Sequence, residues 1–132
     1  NQDIITALKQ LYPDVQDIEW SQKGVYYVAD CWVNGAELDV WFDANANWIM
    51  TEMEIFREQL PAAVNTAYEE SGYGDWVIDN LTKLTFPHKS EEFVFEVQRG
   101  AQERALYYSA YGGLLLEKDI TDADDTHWPD VE

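Results

Sequence analysis

Basic residues are scarce in this chain. Eight Lys and Arg stand against 26 Asp and Glu over 132 residues, a formal charge of −18. A surface that negative repels phosphate backbones and anionic lipid headgroups, so no nucleic-acid partner is expected. It favours cations or a basic protein partner instead. Cysteine is nearly absent: Cys31 is single, and no internal disulfide can form. It lies in the apolar run Val28-Ala29-Asp30-Cys31-Trp32-Val33 without basic neighbours, so it reads as a small buried hydrophobe rather than a reactive thiol. Histidine is equally sparse. His88 sits in a charged loop and His127 in an acidic tail, and neither context suggests pairing with Cys31 or a serine. There is no glycine-rich phosphate loop, because Gly112-Gly113 falls between two strand-like runs. No apolar run reaches the ~18 residues of a membrane span, and membrane insertion is not expected. Carboxylate pairs exist through sheer number, but nothing in the sequence builds a cleft around one. These absences argue against an enzyme.

Hydrophobic residues make up 46 % of the chain and aromatics 14 %, ample material for a core. An internal repeat organises them. At one constant shift Trp20 falls on Phe86, Tyr27-Val28 on Phe93-Val94, Glu37 on Glu103, Val40-Trp41-Phe42 on Leu106-Tyr107-Tyr108, and Trp48-Ile49-Met50 on Leu114-Leu115-Leu116. Upstream the shift shortens, placing Tyr12-Pro13-Asp14 on Tyr73-Gly74-Asp75 and putting extra residues into the second copy near 87–92. The chain reads as one domain: repeat one at 1–55, repeat two at 60–120, and an acidic tail at 121–132.

Each copy opens on a helical pattern. Ile4, Leu8 and Leu11 share a face, with Asp3 as cap and Pro13 as stop. In copy two Leu60-Pro61 leads into Val64, Ala67, Tyr68 and Ser71, and Gly72 and Gly74 end the run. Helices this short need a sheet to lie on. The remainder alternates in the manner of strands, predicted near 18–21, 25–33, 37–42 and 48–55, then 81–86, 92–99, 103–108 and 114–120. Short connections make neighbours antiparallel. The expected fold class is α+β: an antiparallel sheet from two tandem helix-plus-strands repeats, with helices on one face and the other face open.

Comparing the copies assigns the faces. Tyr27, Ala29, Cys31, Val40 and Phe42 match Phe93, Phe95, Val97, Leu106 and Tyr108, and should point at the helices. The other parity mixes acids with large aromatics. A merely solvated face more often carries Thr, Lys, Ser and Glu. Tyr26, Asp30, Trp32, Glu37, Asp39, Trp41 and Tyr107 are therefore the candidate partner-binding residues, expected as an exposed patch. The alternative is that these aromatics pack beneath a loop or the tail. Trp48 has no assignable side, since both parities of its strand are apolar.

Calcium is the candidate cofactor. Asp43, Asn45 and Asn47 alternate oxygen-bearing side chains, and Glu54 falls at the closing position of a calcium-loop spacing. Asp122 and Asp124 in the tail form a second hard-oxygen cluster. Against the first set, Trp48 stands where the sharp turn wants glycine, and a strand from Trp48 would carry Glu54 away from Asp43. A hairpin turn built on Asx residues accounts for the same pattern.

Leu11-Tyr12-Pro13, Ile18-Glu19-Trp20, Val25-Tyr26-Tyr27-Val28, Leu38-Asp39-Val40-Trp41-Phe42-Asp43, Trp48, Glu52 and Leu60-Pro61 together resemble the PepSY-like family of exported bacterial proteins. The second copy keeps Tyr73, Phe93, Leu106 and Gly112-Gly113 but shows Tyr108-Ser109 where the first has Phe42-Asp43. The resemblance runs from the first helix to Ile120. It implies a tandem helix-plus-sheet fold, a periplasmic or otherwise exported location with a signal peptide removed, and no catalysis. The layout is also similar to beta-lactamase-inhibitor proteins, which implies an inhibitor-like module binding a protein partner through its open sheet. A calcium-responsive or small-ligand or carbohydrate sensor is the alternative function.

Overall fold

The computed structural model describes residues 2–121. The polypeptide starts with helix α1 (Gln2–Leu11), which carries Asp3 in its first turn and Lys9 in its last, each favourable to the helix dipole. Ile4 and Leu8, one turn apart, are its buried stripe. Pro13 lies just past its end. Four strands follow: β1 (Gln16–Lys23), β2 (Tyr26–Val33), β3 (Ala36–Phe42) and β4 (Trp48–Glu54). A short 3-10 turn (Arg57–Gln59) leads to helix α2 (Ala62–Glu69) and strands β5 (Val77–Thr85), β6 (Glu92–Arg99), β7 (Gln102–Ser109) and β8 (Leu114–Asp119). The strands follow one another in chain order in an open antiparallel sheet. The α+β class expected from the repeat is the class observed.

Contacts divide the chain into two compact units. One runs to Glu54 and takes in Thr85–Lys89; the other comprises Ile55–Leu84 and continues from Ser90. In the first unit α1 lies on β1–β4, and Ile4, Leu8, Ala29, Cys31, Leu38, Val40 and Phe42 form the buried cluster. Ile18, Tyr27, Val33, Trp48 and Met53 pack around it. Trp48, which the sequence left without a side, thus belongs to the helix face, and its Nε1 donates to Thr51 Oγ1 at 3.0 Å. Tyr12 Oη shares that Thr51 hydroxyl at 2.9 Å, tying the end of α1 to β4.

In the second unit Val64 and Tyr68 of α2 are buried one turn apart. The Tyr68 ring stacks on Phe95 with centroids 4.2 Å apart and planes 4° apart. Its hydroxyl donates to the Tyr73 carbonyl at 2.8 Å, so a buried aromatic keeps a satisfied polar end. The β7–β8 turn lies tight against α2: a Cβ on Gly112 would stand 2.7 Å from the Ala63 carbonyl oxygen.

Two strands begin two or more residues before their sequence patterns. The first was expected from Ile18 and begins at Gln16, across a register shift between Gln16 and Glu19 where Asp17 takes φ 56°. The fifth was expected from Leu81 and begins at Val77, with another shift between Ile78 and Asn80. A bulge inserts one residue and breaks strict alternation, the only signal that marks a strand in sequence.

Candidate functional site

In the first unit, the sheet face turned away from α1 is built by strand register. One row of directly opposed residues runs Ser21, Val28, Trp41 and Met50 across β1–β4. The next runs Glu19, Asp30, Asp39 and Glu52. Four carboxylates thus stand side by side on four strands, with Cβ atoms of opposed pairs roughly 5 Å apart. Beyond them Trp32 faces Glu37. Like charges in such a row repel. Asp39 has its carboxyl held above the ordinary carboxylate value, mainly by burial and then by the Asp30 charge, with Lys23 partly offsetting both. Glu37 is raised as well, chiefly through a hydrogen bond with Asp30 and that residue's charge.

The predicted partner-binding residues separate by exposure. Trp32 is 43 % exposed, and Glu37 is exposed beside it. Tyr26, Asp30 and Asp39 are half-buried. Trp41 and Tyr107 depart from the expected exposed patch: they are 0 % and 1 % exposed. Parity put both on the acid-bearing side correctly, but that side is not open at their positions. Around Trp41 three described side chains gather. Its Nε1 donates to Glu52 Oε1 at 2.7 Å, the Tyr26 ring meets it edge-on at 5.6 Å, and Lys23 Nζ sits 5.5 Å from its centroid. In the second unit Lys118 Nζ lies 4.8 Å from the Tyr107 ring, which is flanked in register by Val94 and Leu116.

Glu19, Lys23 and Glu52 complete this surface and were not among the candidates. Glu19 and Glu52 become neighbours of Asp30 and Asp39 only once three hairpin registers are known, including the shift between Trp41 and Phe42. The signal available in the sequence was the alternation of acids in β1 and β4, on the side opposite to Ile18 and Met53.

The residues considered for calcium fall elsewhere. Asp43, Asn45 and Asn47 form the β3–β4 turn. Asp43 Oδ1 accepts from the amides of Asn45 at 2.9 Å and Asn47 at 3.0 Å, and Oδ2 accepts from Asn47 Nδ2 at 3.1 Å. These bonds hold the Asp43 carboxyl below its usual range. Glu54 ends β4, roughly 20 Å along the strand from its start at ~3.3 Å per residue. Asp122 and Asp124 lie outside the described residues. Among the described residues no group of three or more His, Cys, Asp or Glu is placed to hold a metal ion. Cys31 faces the α1 core, and burial together with Asp30 and Asp39 pushes its thiol up to about 11, a setting for an inert side chain. No described helix is long and apolar enough to cross a membrane.

Comparison with known proteins adds the lineage. A family described as "Putative beta-lactamase-inhibitor-like, PepSY-like" matches residues 25–116. The chain belongs to this family. Among solved structures, this PepSY-like chain is similar to a BLIP-like protein from Bacteroides fragilis, at 55 % identity and a TM-score of 0.92, over 98 % of this chain and 92 % of that one. A protein from Bacteroides eggerthii described as a putative periplasmic protein is 31 % identical with a TM-score of 0.90, over 95 % and 92 % of the two chains. A DUF2874 family protein from Bacteroides ovatus is 29 % identical with a TM-score of 0.92, over 97 % and 93 %. No curated protein matches the sequence at a significant level. The PepSY-like membership expected from the motifs is therefore shown.

Proposed function

We propose that this PepSY-like chain is an exported, non-enzymatic, inhibitor-like module that binds a protein partner through the acid-and-aromatic face of its first unit. The observation that carries the reading is Trp32, a large aromatic 43 % exposed on a sheet face, next to Glu37 and the row Glu19, Asp30, Asp39 and Glu52. Exposed aromatics beside charged residues are the usual anchors of protein interfaces. The carboxylates fit a partner presenting Lys or Arg, and the net charge of −18 speeds encounter with one. Trp41 belongs to this site as a buried support beneath the contact surface. The description of the family as beta-lactamase-inhibitor-like supports an inhibitory role, and the periplasmic description of the Bacteroides eggerthii relative supports export.

The test is binding to a beta-lactamase panel and to basic periplasmic proteins, by inhibition and by calorimetry. Trp32→Ala is expected to keep the melting temperature and to weaken binding by about 2 kcal/mol or more, roughly 30-fold. Asp30→Asn with Asp39→Asn is expected to slow association and reduce its salt dependence. If both variants bind a found partner as tightly as the parent chain, this face is not the site.

A further inference from the structure

The β2–β3 hairpin turns through Asn34 and Gly35, both exposed, at φ 51° and 83°. Val33 and Ala36 are the closing pair. In a two-residue turn the flanking pair makes the ladder hydrogen bonds, which leaves the Gly35 amide outside the ladder. Gly35 is exposed, and a Cβ built on it would meet nothing within 4 Å, so the space beside its Cα is open. We propose that Asn34 is a site of spontaneous deamidation, with the backbone nitrogen of Gly35 as the nucleophile.

The chemistry closes without an added oxidant or reductant. The Gly35 nitrogen forms a bond to Asn34 Cγ and gives up its proton, the Cγ–Nδ2 bond breaks, and the side-chain nitrogen leaves as ammonia. The product is a five-membered succinimide. Water then opens the ring at one of its two carbonyls, giving aspartate or isoaspartate. One water is consumed and one ammonia released.

Glycine at the following position matters because no β-carbon crowds the attacking nitrogen. The other described asparagines precede Ala46, Trp48, Thr66 and Leu81. Three of them also have engaged side chains: Asn47 Nδ2 donates to Asp43 at 3.1 Å, Asn65 Oδ1 accepts from Arg57 Nε at 2.7 Å, and Asn80 Oδ1 accepts from the Leu81 amide at 3.1 Å.

The consequence reaches the sheet face. Either product adds a negative charge at the hairpin tip next to the Trp32–Glu37 pair. Isoaspartate also adds a methylene to the backbone of a turn whose register sets that pair. The proposal does not depend on what the face binds.

The experiment is incubation of the whole folded chain at mildly alkaline pH and body temperature, followed by peptide mapping by mass spectrometry and labelling with an isoaspartyl methyltransferase. The peptide holding Asn34 is expected to gain about one mass unit, with methyl incorporation, several-fold faster than any peptide holding another asparagine. Asn34→Gln removes both signals, since cyclisation there needs a less favourable six-membered ring. Modification no faster than at the other asparagines overturns the proposal. So does an intact Asn34 in the folded chain alongside a modified one in the same chain unfolded by denaturant, because the turn then blocks the attack.

Discussion

Trp41→Ala tests the part of the site that the structure changed most. On an open, wet face the substitution would cost a few tenths of a kcal/mol. Here the ring is fully buried, donates to Glu52 at 2.7 Å, meets Tyr26 edge-on and carries Lys23 over its face. Truncating a buried Trp to Ala typically costs about 3–5 kcal/mol through lost burial and the cavity left behind. Against a total stability of about 5–15 kcal/mol for a domain of ordinary size, that is a large share. At a few degrees per kcal/mol it lowers the melting temperature by roughly 10–20 °C. Trp41→Phe separates the contributions. It keeps most of the ring but removes the N–H donor to a carboxylate, a loss of about 1.5–3 kcal/mol. Urea melts of parent and both variants, monitored by far-ultraviolet circular dichroism, give the two differences with a common slope. A Trp41→Ala loss below about 1 kcal/mol would refute the account of Trp41 as a buried support and return it to the exposed surface.

Three other outcomes follow from the geometry. Glu37 and Asp39 have folded-state pKa values above their unfolded ones. Their contribution to stability is therefore fully present below the ordinary carboxylate range and is lost as pH rises through the folded values. The melting temperature should rise as pH falls through the raised folded values of Glu37 and Asp39 toward the ordinary carboxylate range, then turn down below that range where Asp43 and Asp119, held below their usual values, take up protons. Asp39→Asn should flatten the rise, by under about 1 kcal/mol given its partial exposure; a monotonic fall from pH 7 would contradict this. Asp43→Ala removes the acceptor of three turn hydrogen bonds and should cost about 1–3 kcal/mol. Comparing parent and variant between chelator and millimolar calcium tests the calcium alternative, since only a native-state ligand raises the melting temperature. Gly112→Ala should destabilise the second unit by more than about 1 kcal/mol, because alanine at φ 87° is strained and its Cβ would stand 2.7 Å from the Ala63 carbonyl oxygen; an unchanged denaturation midpoint would show that the turn yields.

The sequence by itself determined the element types, their order and the helix-facing parity. Alternation in β2, β3, β6 and β7 and the Ile4–Leu8 and Val64–Tyr68 spacings are local consequences of strand and helix geometry, and the repeat doubled each signal. The same apolar and turn positions made the PepSY-like family legible. Bulges escaped that reading, since a single inserted residue at Asp17, or between Ile78 and Asn80, breaks a pattern that a strand otherwise keeps. The shift between Trp41 and Phe42 did the same for Trp48, whose side follows from β3–β4 pairing rather than from its own neighbours. Exposure was the other matter left to tertiary structure. Parity states which face a side chain joins, and Trp32 and Trp41 share one. Whether water reaches it depends on long side chains from other strands. Lys23, Tyr26 and Glu52 meet at Trp41, which is buried, while Trp32 on the same face stays in solvent, and those contacts exist only after β1–β4 have found their registers.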